Sequence, residues 1–268
     1  TRKRSSAASD VYKRQNLSTH NSITWFQSMI ALIRCILLIP ILVIFCFVGC
    51  LYCLVRPMHK NNTSVVALKL KFLAPLFGIK LVIRKPCNQI YTPKIIIGNH
   101  QNTYDVITIS AAITENTVSI GKKSIVWIPF FGLLYWLSGN ILIDRKDKHS
   151  AKRTIEKTVE RIGKDQLSVW MFPEGTRSNG RGLLPFKMGA FHTAIKAGVP
   201  IVPVVLSNTA GFKLNRLNNG YVIVESLQPI ATEHYPLEDI KKLSSICHKL
   251  MVDKIKQLDD EVSLLNNA

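Results

Sequence analysis

The chain has 268 residues, with 35 Lys+Arg against 17 Asp+Glu, a formal net charge of +18. An apolar share of 47% excludes a disordered polyelectrolyte, and the length gives one or two domains ample core. Six Cys in a chain of this size is ordinary usage, which excludes a disulfide scaffold.

Taken in chain order, residues 1–28 are polar and charged without periodicity, and the first Met is Met29. They read as a non-native or disordered leader, with the native start at Met29. Removing them leaves 30 basic residues against 16 acidic, so the surplus survives. Residues 35–55, CILLIPILVIFCFVGCLYCLV, carry no charge over 21 positions. At about 1.5 Å rise per residue, such a helix matches the ~30 Å hydrocarbon core of a bilayer. The run passes directly into Arg56-Pro57 rather than a small-residue cleavage site. It therefore reads as an uncleaved membrane anchor over 29–57, either one helix or a helical hairpin broken at Pro40 or Gly49. Cys46, Cys50 and Cys53 lie inside it with no second pair at zinc spacing, so no metal site is read there. Basic residues follow the segment (Arg56, Lys60, Lys69, Lys71), whereas from Met29 on only Arg34 precedes it. If it spans, the positive-inside bias puts residues 58–268 in the cytoplasm. Residues 66–83 fit an interfacial helix with snorkelling lysines, or equally a buried helix and strand.

From about residue 90 short apolar runs alternate with amphipathic stretches. Strands are predicted at Lys94–Gly98, Thr117–Gly121, Asn140–Asp144, Leu167–Phe172, Ile201–Leu206 and Tyr221–Glu225. Helical spacing of Ala151, Ile155, Val159 and Ile162 predicts a helix capped by Ser150. Met188–Ala197 gives a second, stopped by Gly198 and Pro200. A C-terminal helix follows, striped by Leu243, Ile246, Leu250, Ile255 and Leu258. This alternation predicts an α/β fold with a mostly parallel sheet flanked by helices.

The nucleophile elbow G-x-S-x-G and both common glycine-rich nucleotide cradles are missing from the sequence. What remains is IIIGNHQNTYD at 95–105 and WMFPEGTRS at 170–178, each an apolar strand running into a polar, turn-prone loop. His100 and Asp105 are candidates for a base and its orienting carboxylate. A carboxylate on one ring nitrogen fixes the tautomer and raises the basicity of the other. With no Ser or Cys in a nucleophile motif, that base would activate a substrate hydroxyl directly. Gly175 lets backbone approach an anion, and Arg177 offers a bidentate fork for phosphate or carboxylate. Between Lys122 and Lys187 stand 13 basic and six acidic residues. Lys152, Arg153, Lys157 and Arg161 form a solvated helix face, whereas Lys122, Lys123, Arg145, Arg177 and Lys187 follow strands or turns and can converge.

These blocks resemble those of the bacterial 1-acyl-glycerol-3-phosphate acyltransferases, in the glycerolipid acyltransferase superfamily. NHQNTYD carries the His-x4-Asp block, residues 121–145 the second, FPEGTRS the third and VPIVPV at 199–204 the fourth; LPFKMGAFHTA also matches. Ser124 departs from the pattern, where many members carry Glu. The resemblance implies transfer of a fatty acyl group from acyl-carrier protein or coenzyme A to the 2-hydroxyl of lysophosphatidic acid, giving phosphatidic acid, without a cofactor. It implies His100 and Asp105 as the catalytic pair. Arg145, Arg177 and Lys122 would hold the substrate phosphate, and Glu174, Gly175 and Thr176 would build that binding loop. It also implies a bacterial inner-membrane protein facing the cytoplasm and meeting anionic lipid. Two other readings are an acyltransferase for glycerol-3-phosphate or another lysophospholipid, and a basic membrane-anchored binding module without activity. A nucleic-acid partner is not expected, because the basic region lacks interleaved stacking aromatics.

Overall fold

The structure, a computed structural model, describes residues 2–85 and 93–267, with side chains described from Trp25 onward apart from Lys148. Seven strands form one sheet: β1 (Ile79–Arg84), β2 (Ile95–Gly98), β3 (Thr117–Lys122), β4 (Ile141–Ile143), β5 (Ser168–Met171), β6 (Ile201–Leu206) and β7 (Gly220–Ser226). Their order is β1-β7-β6-β2-β5-β3-β4. All pairings are parallel except β6 with β7, so the expectation of a mostly parallel sheet holds. The six predicted strands are all present within two residues of their expected bounds. For residues 66–83 the structure selects the helix-and-strand alternative. The segment forms the end of α2 (Asn62–Leu70), a 3₁₀ turn over Lys71–Phe77, and β1.

The strands alternate their side chains between two cores, as the two-residue period of a pleated sheet requires. On one face Ile95, Ile97, Val169 and Met171 pack against α4 (Lys148–Asp165), α5 (Gly189–Ala197) and α6 (Ile240–Asn267). On the other, Ile96, Trp170, Val202 and Val224 meet α2 and the 3₁₀ turns after β2. Pro203, which has no N–H to give, sits in β6 one residue before the ladder to β7 begins.

Several local expectations are corrected. Asp147, not Ser150, caps α4, its Oδ1 accepting from the His149 and Ser150 amides at 2.9 and 3.1 Å. The carboxylate outbids a hydroxyl at this end because it also faces the positive pole of the helix. The buried stripe of α6 is Leu243, Cys247, Met251 and Leu258, while Ile246 and Leu250 are exposed. The apolar N-terminal segment is not a hairpin: α1 (Arg2–Val55) runs through Pro40 and Gly49 as one helix. Trp25–Val55 is long and apolar enough to cross a membrane. The reading of residues 1–28 as a leader falls almost wholly where side chains are not described.

One face of α1 docks on the rest of the protein. Cys46, Cys50 and Cys53 pack with Leu134 and Leu137 of α3 (Phe131–Leu137). Gly49 permits this, since a Cβ there would lie 2.9 Å from the Leu134 side chain. Toward the other end Arg34 is buried, donating to the carbonyls of Leu214, Arg216 and Leu217 at 2.7, 2.5 and 2.9 Å.

Candidate active site

Four adjacent strands, β2-β5-β3-β4, point their carboxyl ends at one edge of the sheet, the edge where parallel sheets place their sites. His100 leaves β2, the FPEGTRS loop leaves β5, Lys122 ends β3 and Arg145 follows β4. The sequence reading had these segments converging, and the strand order is what brings them together.

The loop after β2 is fixed before any substrate arrives. Asn99 continues the β2–β6 ladder with its side chain, donating to and accepting from Leu206 at 2.8 Å each. Gln101 donates to the carbonyls of Leu206 and Ser207 and accepts from the Thr209 amide. Asn102 donates to Thr209 and opens the 3₁₀ turn Thr103–Val106. Between these tethers His100 Nδ1 lies 2.5 Å from Asp105 Oδ2. That same oxygen accepts from the amides of Gln101 at 2.6 Å and Asn102 at 3.2 Å, so Asp105, almost fully buried, has three donors converging on it. A carboxylate so held keeps the proton on Nδ1 and leaves Nε2 as the acceptor. The imidazole also stacks on Phe172, centroids 4.2 Å apart and planes 19° apart.

Glu174 is buried and faces the protein rather than the cavity. Its Oε1 accepts from the His100 amide at 2.6 Å and its Oε2 from the Leu184 amide at 2.9 Å. The carboxylate thus staples the β5 loop to the His100 loop. Ser178 and Asn179 add backbone bonds to the carbonyls of His100 and Gln101. Burial pushes the Glu174 carboxyl above its ordinary range, against the two amides that favour the anion.

A cavity of about 800 Å³ opens over this edge, within the roughly 300–1,000 Å³ of small-molecule pockets. His100, Asp105, Gly175, Thr176, Arg177, Arg145 and Lys122 all line it, whereas Glu174 and Lys123 do not. Val66, Ala67, Leu70, Ile113, Ile120 and Leu134 supply apolar wall. One wall, then, is cationic and another is hydrocarbon. Arg145 donates to the Gly175 carbonyl at 2.6 Å and Arg177 to Thr103 Oγ1 at 3.2 Å, each through one guanidinium nitrogen. Gly175 adopts φ +68°, and a Cβ there would fall 2.9–3.0 Å from the Lys187 side chain, which also lines the cavity. The left-handed turn favours glycine at 175, whereas the flexible end of Lys187 could move aside. Among the described residues no group of three or more His, Cys, Asp and Glu is placed to hold a metal ion.

Sequence reasoning missed the bracing set, Asn99, Gln101, Asn102 and Thr209. The amides around His100 were the only signal for it, and their partners lie more than 100 residues away. It also missed the half-buried network of Thr63, Ser119, Tyr135 and Asn140. There Asn140 Oδ1 accepts from the Thr63 and Ser119 hydroxyls at 2.9 Å, inside the cavity's wall.

A family model described as Acyltransferase matches residues 80–207, the span from β1 to the end of the β6 core. The 1-acyl-sn-glycerol-3-phosphate acyltransferase of Haemophilus influenzae is 47% identical over 237 residues, covering 88% of this chain and 99% of its own length. That of Escherichia coli is 48% identical over 237 residues, covering 88% and 97%. The chain belongs to the 1-acyl-sn-glycerol-3-phosphate acyltransferase family. A human member, the alpha form, is 32% identical over 216 residues, with 78% and 75% covered. The fold is likewise that of the family. The crystal structure of the 1-acyl-sn-glycerophosphate (LPA) acyltransferase PlsC from Thermotoga maritima superposes with a TM-score of 0.65 at 17% identity, covering 87% of this chain and 97% of that one.

Proposed function

We propose that this acyltransferase esterifies the sn-2 hydroxyl of lysophosphatidic acid with a fatty acyl group from a thioester of acyl-carrier protein or coenzyme A, making phosphatidic acid. The observation that carries the reading is the His100 Nδ1–Asp105 Oδ2 contact at 2.5 Å, inside a cavity with one cationic and one apolar wall.

In this mechanism His100 Nε2 takes the hydroxyl proton as the oxygen attacks the thioester carbonyl. Asp105 holds the ring and stabilises the imidazolium. The leaving thiolate has a pKa near ~8.5 and needs no strong general acid, and the chemistry calls for neither metal nor redox cofactor. Arg177, Arg145 and Lys122 receive the phosphate. Thr176 and Gly175 shape that wall, and Glu174 acts as a positioning residue that fixes its distance from His100. The apolar wall takes acyl chain. The exposed apolar face of α1 supports membrane association, and the relatives' bacterial origin and the basic surface support the inner membrane, with the site toward the cytoplasm and anionic lipid around it.

The test is an acyl-transfer assay on the purified chain with lysophosphatidate, glycerol-3-phosphate and neutral lysolipids as acceptors. Preference for lysophosphatidate supports the proposal; preference for another acceptor moves the chain elsewhere in the superfamily, and no transfer to any removes the enzymatic reading.

A further inference from the structure

Residues 124–140, SIVWIPFFGLLYWLSGN, carry no charge, yet they are not a core segment. Lys123–Trp127 form a 3₁₀ turn, Ile128–Phe130 a bend and turn with Phe130 at φ +60°, and α3 follows. Their outward side chains are open: Trp127 is 84% exposed, Phe130 56% and Leu133 54%, with Val126 and Trp136 also exposed. The expense of leaving so much apolar surface in water is what marks such a patch as an interaction site. Its inward side does other things. Leu134 and Leu137 of α3 pack on α1, and Ile125, Ile128 and Phe131 line the cavity.

Two features say what covers the open side. Its helix α3 packs on α1, which itself exposes Phe47, Leu51 and Leu54 close in sequence to the cysteines that make this contact. The patch is also uncharged and is flanked in sequence by Lys123 on one side and Lys146 on the other, both exposed. Apolar aromatics between basic flanks suit an anionic lipid leaflet: rings at the headgroup boundary, ammonium groups among phosphates.

We infer that residues 124–136 form a membrane-inserting wedge, separate in sequence from α1, that sits in the same leaflet and serves as the cavity wall through which a lipid acceptor enters. The inference rests on the proposal of a membrane-borne acceptor and specifies the surface that meets it. Because Ile128 and Phe131 face the cavity while Trp127 and Leu133 face outward, an acyl chain in the leaflet passes around one thin wall to reach the site.

The test uses the full chain in mixed phosphatidylcholine–phosphatidylglycerol vesicles, with and without bromine on the acyl chains. The Trp127 signal is isolated as wild type minus Trp127→Tyr. Bromolipid should quench that difference signal. Quenching of Trp25 with the Trp127 and Trp136 signals untouched, the latter isolated in the same way with Trp136→Tyr, would overturn the wedge while leaving the membrane association standing. No quenching of any tryptophan would remove both. A double variant, Trp127→Ser with Leu133→Ser, adds a kinetic arm, since neither residue lines the cavity. Its kcat/KM should fall about tenfold for long-chain lysophosphatidate presented in vesicles and stay unchanged for a short-chain, water-soluble lysophosphatidate. Equal losses on both acceptors would mean a folding defect and contradict the wedge.

Discussion

At the residue scale the two loops of the site divide their work. Arg177 and Arg145 each give one nitrogen to the protein, which aims the fork, and keep others for a ligand. Arg177 turns toward Thr103 Oγ1, whereas the buried Glu174 carboxylate meets the amides of His100 and Leu184 on the protein side. Arg177→Lys keeps the charge and loses the fork. It should raise the acceptor KM by about 10–100-fold, the equivalent of one charge-assisted bond, with the donor KM little changed. Steady-state kinetics varying each substrate in turn checks this, and equal changes in both KM values would take Arg177 out of the phosphate site. Glu174 makes a prediction about pH. A carboxyl whose folded pKa lies above its unfolded value binds more protons when folded. Its contribution is greatest below the ordinary glutamate pKa and is lost as pH rises through the raised one. The stability of wild type relative to Glu174→Gln should therefore fall as pH climbs through that window. Thermal unfolding in detergent at a series of pH values reads the trend, and a difference that grows with pH would reverse the assignment.

At the scale of elements, α1 is also docked on the α/β domain. Arg34, buried at a helix position surrounded by apolar residues, ties α1 to the 214–217 loop. The same connection between β6 and β7 holds Thr209 against Gln101 and Asn102, and Phe212 against Tyr104 at 5.8 Å. Arg34→Leu removes three hydrogen bonds to a partly exposed loop whose carbonyls can turn to water, and should cost about 1–2 kcal/mol of stability. Arg34→Lys should recover only part of it, because an ammonium cannot fan out to three carbonyls. Thermal unfolding of the two variants decides, and a Leu variant as stable as wild type would show that the docking is dispensable. The elements themselves were largely legible in the sequence. Turn residues and short runs rich in apolar or β-branched side chains marked β2 through β7. Residues 66–83 were ambiguous because Lys69, Lys71 and Lys80 interrupt the run in a way a snorkelling helix and an edge strand share. The cap of α4 was misread because Asp147 and Ser150 are both good cap residues, and only the geometry shows which turn comes first. The stripe on α6 was misread because Ile246 and Cys247 are both apolar, and their burial depends on where the sheet lies.

At the scale of the whole molecule, the site blocks were legible because they sit at strand ends, whereas the tethers that hold them were not, since each joins residues of unrelated sequence neighbourhoods. The sheet order turns four separate blocks into one edge, the cavity gives that edge a cationic and an apolar wall, and α1 adds a stretch long and apolar enough to cross a membrane. The central claim is that His100, oriented by Asp105, deprotonates the sn-2 hydroxyl of lysophosphatidate. The direct measurement is kcat for phosphatidate formation by purified wild type, His100→Ala and Asp105→Asn, with the position of the new ester read by mass spectrometry and with folding and membrane binding verified for each variant. The account predicts sn-2 acylation by wild type, a loss of about 10²–10⁴-fold in His100→Ala, and a heavy loss in Asp105→Asn. Near-normal turnover in a folded His100→Ala protein would contradict it.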